Sequence, residues 1–355
     1  MTWPGQVVSA HLSSKPAPNI TEGTLMAQTP TDSEARMILA ALSEPGDLVT
    51  GTLVNRVGAA ETVDLITSGG RLPNGVDPAE GELWRRRLAP RINPGDVENI
   101  AADMQLHRLQ LLTPEDVDWP GELQQLGTSA PLALWLKGDP HLLTAALPSR
   151  VTMVGARAAT DYGTQVATEL ASELASQGRT IISGGAYGIE GSAHRAATVS
   201  YPGSTIAVLA SGLDRPFPTG QEQLFERIEQ SGGLLVSELP PGSAPTRWRF
   251  LQRNRMLAAL SGATVVVEAG HRSGSLNVAG QAHALGRLVG AVPGPVTSTA
   301  SAGCHRLIQE GIASLVIDAQ DVTDLLDSTA GFSGDRTFSY STIRRFSQTG
   351  PDLKF

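Results

Sequence analysis

The densest chemistry in the sequence lies between Glu238 and Glu268. This stretch contains no acidic residue and holds Arg247, Arg249, Arg253 and Arg255 around Trp248 and Phe250. Guanidinium forks match phosphate oxygens in pairs, and aromatic rings offer a face to any nucleobase. With no carboxylate inside the window to balance the arginines, the segment fits a phosphate-bearing strand better than a solvated, self-neutralised surface. Three glycine-rich turns add candidate anion contacts through backbone N–H groups at helix starts. They are Gly155-Ala156-Arg157, Ser183-Gly184-Gly185-Ala186-Tyr187-Gly188, and Arg272-Ser273-Gly274-Ser275. Each also has a plain local use as a tight turn or helix cap. Tyr187 offers a further ring for stacking.

Other chemistry finds less support. His194, His271, His283 and His305 have no metal-ligand spacing, and Cys304-His305 lacks a third partner. Ser183 and Ser237 are not in a G-x-S-x-G elbow, and no G-x-x-x-x-G-K-[ST] loop is present. Glu238 and Glu268, at neighbouring strand ends, have the right chemistry for an acid/base pair, but holding arginines such as Arg253 or Arg255 is the preferred reading. No catalytic residue, metal or cofactor is expected.

The turns need a frame to present them, and the hydrophobic pattern supplies one. Val151–Val154, Thr180–Ile182, Thr205–Leu209, Leu234–Val236, Thr264–Val267, Leu288–Val292 and Ser314–Ile317 read as short strands. Between them, Asp161–Ser176, Glu190–Val199, Gln221–Gln230, Asn254–Leu260, Leu276–Leu285 and His305–Gln309 carry helical periodicity. Strand–helix alternation at this spacing predicts a Rossmann-like, doubly wound, mainly parallel α/β sheet, with ligands beyond the carboxyl ends of the strands. Leu109–Leu112 and Ala130–Lys137 add two strands ahead of it. Helical patterns at Ser33–Leu42, Asp47–Val57, Ala59–Ile66, Glu82–Leu88 and Pro94–His107 predict a small all-α domain over residues 31–105, with the sheet domain over 106–327. Residues 1–30 and 328–355, rich in small and polar types, read as disordered tails, the second too short for a further domain.

Composition sets the outer bounds. The 355 residues are 41% hydrophobic and 17% charged, with 38 glycines, as a turn-rich soluble α/β chain should be. A net charge of −8 means that any nucleic-acid binding must come from a local patch. The single cysteine, Cys304, excludes an intrachain disulfide and suits a reducing cytoplasm. No apolar run is long enough to span a bilayer.

The ordered segments VGARAATDYG (154–163), SGGAYGIEGSAH (183–194), SELPPG (237–242), FLQRNRMLAALS (250–261), VVVEAGHRSGSL (265–276), GAVPGP (290–295) and SAGCHRLI (301–308) resemble the DprA/Smf family of DNA-processing proteins. The likeness runs from about Leu109 to Ile317; the helical region is similar, less closely, to the family's sterile-alpha-motif-like domain. It implies a non-enzymatic protein that binds single-stranded DNA, protects incoming DNA in transformation or recombination, loads the RecA recombinase and forms homodimers. It also places Asn254 beside Arg253 and Arg255 in the binding motif. Departures from the family pattern include Glu190 for Asp, Tyr187 where many members have Arg, Phe217-Pro218-Thr219-Gly220-Gln221 for Tyr-Pro-x-x-Asn, and Val278 for Thr. No room remains for the winged-helix domain of many members. The alternative is a nucleotide-binding enzyme such as a nucleoside-monophosphate phosphoribohydrolase. Its P-G-G-x-G-T-x-x-E motif is missing, with Arg272-Ser273-Gly274-Ser275 at the matching place.

Overall fold

A computed structural model of the protein describes residues 30–327, apart from Pro94. The tails expected over 1–30 and 328–355 lie outside the described residues, Pro30 excepted.

Five helices come first: α1 (Asp32–Leu42), α2 (Leu48–Val57), α3 (Ala59–Thr67), α4 (Pro78–Leu88) and α5 (Asp96–His107). Their starts follow from local chemistry. Thr31 and Glu34 form a reciprocal capping box on α1. Asp47 accepts from the Thr50 N–H on α2, and Asp77 caps α4 ahead of Pro78 in its first turn. The bundle closes on its own core, including Leu39, Leu53, Leu65, Trp84 and Leu88. The buried Trp84 ring finds its polar partner in Thr50 Oγ1 at 2.8 Å.

The sheet follows: β1 (Gln110–Leu112), β2 (Leu134–Gly138), β3 (Arg150–Val154), α6 (Asp161–Ser176), β4 (Thr180–Ser183), α7 (Ile189–Ser200), β5 (Thr205–Val208), α8 (Glu222–Gln230) and β6 (Leu234–Ser237). It continues with α9 (Arg247–Ala259), β7 (Ala263–Val266), α10 (Ser275–Ala284), β8 (Leu288–Ala291), α11 (Ala302–Gln309), β9 (Ser314–Leu315) and α12 (Ala319–Asp327). The nine-stranded sheet has the order β1-β2-β6-β5-β4-β3-β7-β8-β9. Pairing is parallel from β6 through β9, and β1 and β2 extend it antiparallel. The expected Rossmann-like α/β class is the observed one. After β3 the chain lays β4, β5 and β6 to one side, then returns to place β7 on the other flank of β3. That reversal opens a crevice at the carboxyl ends of β3 and β7, where such sheets hold ligands.

Period-2 alternation splits the sheet into two packed faces. Val154, Ile206, Val208, Leu234 and Val236 join α9, α10 and Cys304 of α11 on one face. Val151, Met153, Ile181 and Val265 meet α6, α7 and α12 on the other. Further along that second face, Ala207, Leu235 and Trp135 pack against α8 and against Met37, Ala40 and Val97 of the helical bundle.

Several boundaries differ from the sequence reading: α4 and α11 start earlier, at Pro78 and Ala302, β2 starts later, at Leu134, and two differences are larger. The helix expected at Asn254 begins at Arg247, because its first turns carry Arg, Trp and Gln with no apolar stripe to announce them. The last strand stops at Leu315, and α12, read from no pattern, closes against α6, β7 and β8.

Candidate nucleic-acid interface

The residues singled out from sequence gather at the carboxyl edge of the parallel strands, from the turns after β3, β4 and β7 and from α9. They divide into side chains that build the edge and side chains that face outward.

Phe250 in α9 is the hub. The Arg157 guanidinium, carried by the turn after β3, lies 4.9 Å from its ring centroid, and that of Arg253 lies 5.8 Å away. Phe217 meets the same ring edge-on, with centroids 5.9 Å apart. Arg157 is exposed and, among the described residues, has no ion-pair partner. Arg253 is buried and reaches over the strand ends, where its Nη1 donates to the Val208 carbonyl at 2.5 Å. Among the described residues its Nε has no acceptor. Burial pulls its pKa down, the charge of Glu190 offsets part of this, and Arg157 lowers it further. The edge thus carries uncompensated positive charge, although the whole chain is acidic.

Arg255 is placed differently. Its guanidinium forks onto Glu238 at 2.7 and 2.6 Å, and its Nε donates to the Ser129 carbonyl at 2.7 Å. Both members of this pair are buried. Arg249 forks onto Glu44 in the α1–α2 loop, both bonds at 2.9 Å, with Nη1 on the Ala244 carbonyl. That bond to Arg249 is the main reason the Glu44 carboxyl sits below its ordinary pKa. Asn254 ties α9 to α10 through Asn277, at 3.1 Å. Glu238 therefore holds an arginine, as expected, while Glu268 does not. Its carboxylate accepts from the Thr160 N–H at 2.9 Å and the Thr160 hydroxyl at 2.7 Å, fixing the turn into α6.

The turn after β4 is built by packing as much as by backbone conformation. Ser183 is buried and donates to the Met153 carbonyl at 2.6 Å. A Cβ on Gly184 would run into the Arg253 guanidinium, so that glycine is what lets Arg253 cross the strand ends. Gly185 and Gly188 adopt φ of 73° and 72°, in the region that side chains disfavour. Within the turn, the Ala186 N–H is held by Glu190 at 3.0 Å. Tyr187 stands 48% exposed beside Gly220. Gly155 packs under Ile189, and the next N–H, of Ala156, is taken by the Glu268 carbonyl at 2.7 Å.

In the third turn, Ser273 and Ser275 bond to each other at 2.6 Å, and the Ser275 N–H points to Ser273 Oγ at 3.4 Å. Arg272 and Gly274 are exposed beside them, and so is Arg247 at the start of α9. The outward cations are thus Arg157, Arg247 and Arg272. Arg249, Arg253 and Arg255 are tied into the framework, so alanine at Arg253 or Arg255 disturbs packing as well as any outward contact. Sequence reasoning missed the Phe217 contribution and the Glu44–Arg249 bond, whose partners are 205 residues apart. The acid-free window was a signal for charge, but no local pattern reports which guanidinium is buried.

Comparison with known proteins agrees with this frame. Residues 110–327 match the family model described as DNA recombination-mediator protein A. A putative DNA processing protein DprA of Mycobacterium tuberculosis is 43% identical over 310 residues, covering 84% of this chain and 76% of that protein. Protein Smf of Escherichia coli is 38% identical over 227 residues, covering 64% and 56%. The X-ray structure of DprA from Streptococcus pneumoniae superposes with a TM-score of 0.66 at 30% identity, covering 87% of this chain and all of that one. A Helicobacter pylori DprA structure, described for its single-stranded DNA binding mode, gives 0.56 at 30% identity over 62% of this chain and 98% of that one. A match over the whole sheet region, with relatives in both sequence and structure, makes this chain a member of the DprA/Smf family of DNA recombination-mediator proteins.

Proposed function

We propose that the protein binds single-stranded DNA along the carboxyl edge of its sheet and hands it to the RecA recombinase, as a non-enzymatic homodimer in the cytoplasm. The observation that carries this reading is the set of outward cations at the carboxyl edge, Arg157, Arg247 and Arg272, together with the acid-free sequence from Leu239 to Val267. It is supported by the single-stranded DNA binding for which the Helicobacter pylori relative's structure is described. Phosphates meet the cations, while the Phe250–Arg157 stack and Tyr187 present flat faces to bases. The helical bundle over 31–105 and the sheet region over 106–327 are two units, joined by the Glu44–Arg249 fork and by the core that Met37, Ala40 and Val97 share with the sheet.

Anisotropy of labelled oligo-dT across a salt series, with duplex of equal length as competitor, tests this. Binding is expected to fall steeply with salt and to resist the duplex. Arg157→Ala should weaken binding and reduce the salt slope by about 1. Affinity that stays level as salt rises would exclude the reading, and base release from nucleoside monophosphates would favour the enzyme alternative.

A further inference from the structure

We propose that the Trp248 ring is a stacking ledge for one unpaired base, and that it makes the interface prefer a single strand to a duplex. The proposal rests on the function proposed above and names a residue that would read the base rather than the backbone.

Trp248 is the second residue of α9, and 54% of its surface is exposed. Leu251, three residues on and on the same side of the helix, is 40% exposed. Among the described residues, no aromatic ring pairs with Trp248 and no guanidinium lies over it. Trp84 and Trp135, by contrast, are fully buried. Positions two apart on a helix point nearly opposite ways, so Trp248 faces away from the Phe250–Arg157 stack. The ledge is therefore a separate station. Gln252, four residues on, shares the side of Trp248 and packs against Gly46 in the α1–α2 loop, which walls the ledge on one flank.

The surrounding charge identifies the occupant. Arg247 precedes the ring, is exposed, and makes no ion pair among the described residues. No carboxylate lies within the sequence from residue 239 to 267, and that of Glu44, brought beside α9 by the α1–α2 loop, is taken up by Arg249. Thr246 Oγ1 caps the Arg249 N–H at 3.2 Å, while the N–H groups of Arg247 and Trp248 precede the helix ladder. Phosphate at Arg247 and the helix start, with a base on the neighbouring indole, is the footprint of one nucleotide. A duplex keeps its base faces inside the stack and offers the ledge nothing.

The test uses the full chain with oligo-dT, an abasic oligonucleotide of equal length, and duplex. Trp248→Ala is expected to weaken oligo-dT binding about 10-fold, leave abasic affinity and salt slope unchanged, and narrow the preference over duplex. Trp248→Phe should retain most of the affinity. Oligo-dT, unlike the abasic strand, should quench tryptophan fluorescence in the wild type. If the wild type binds oligo-dT and Trp248→Ala binds it equally well, the ledge is overturned and the exposed pair belongs to a protein contact. Equal losses for both oligonucleotides would also overturn it, by showing an effect on the fold or the phosphates. A wild type that ignores oligo-dT overturns the proposed function itself.

Discussion

Two buried ionisable sites, one a pair and one a single histidine, show how far charge can be carried into this fold. The Glu238–Arg255 pair is satisfied by paired bonds and by backbone acceptors. Removing one partner strands the other without water. Arg255→Ala should therefore cost about 3–5 kcal/mol in denaturant unfolding, whereas surface Arg157→Ala should cost almost nothing. His194 is the second case. Its ring is fully buried, and Nδ1 lies 2.7 Å from Thr205 Oγ1, whose own proton goes to the Ile181 carbonyl. Burial first, and then the charge of Arg195, bring its pKa down to about 3. The unfolded chain, with its histidine near 6.5, takes up a proton where the folded one does not. Stability from this group is complete above about pH 6.5 and declines as pH falls toward 3, by at most about 1.4 kcal/mol per unit. Denaturant midpoints at pH 7.5 and 5.5 should move less in His194→Gln than in the wild type.

At the scale of elements, the sheet was legible because strands covered on both faces are written as unbroken apolar runs, such as Leu234–Val236. Strand order was not, since parallel pairs share no local sequence signal; the flanking of β3 by β4 and β7 emerges only from packing. The edge residues were legible as chemical types, whereas their roles depended on tertiary reach. Ser183 looked like an anion donor and bonds Met153. Glu268 looked like an arginine partner and caps Thr160. The reach of Arg253 depends on a missing Cβ at Gly184, in another loop. The Glu44–Arg249 fork joins the α1–α2 loop to α9 in the same way. Because Glu44 is partly exposed, its contribution is modest: a Glu44→Ala/Arg249→Ala double-mutant cycle should show coupling of about 0.5–1 kcal/mol, shrinking in high salt.

Across the whole molecule, an acidic chain offers a cationic edge by tying Arg249, Arg253 and Arg255 into the frame and leaving Arg157, Arg247 and Arg272 exposed there. The helical bundle is fastened to the sheet by more than that one fork. Along α1, Ala35, Leu39 and Leu42 face the bundle core, while Met37 and Ala40 face the core shared with Trp135 and Phe225 of the sheet region. A single helix thus supplies one wall to each of two interiors. Neither interior can open without exposing apolar surface of the other, so heat should dismantle bundle and sheet in one concerted event, and damage to α1 should travel to both.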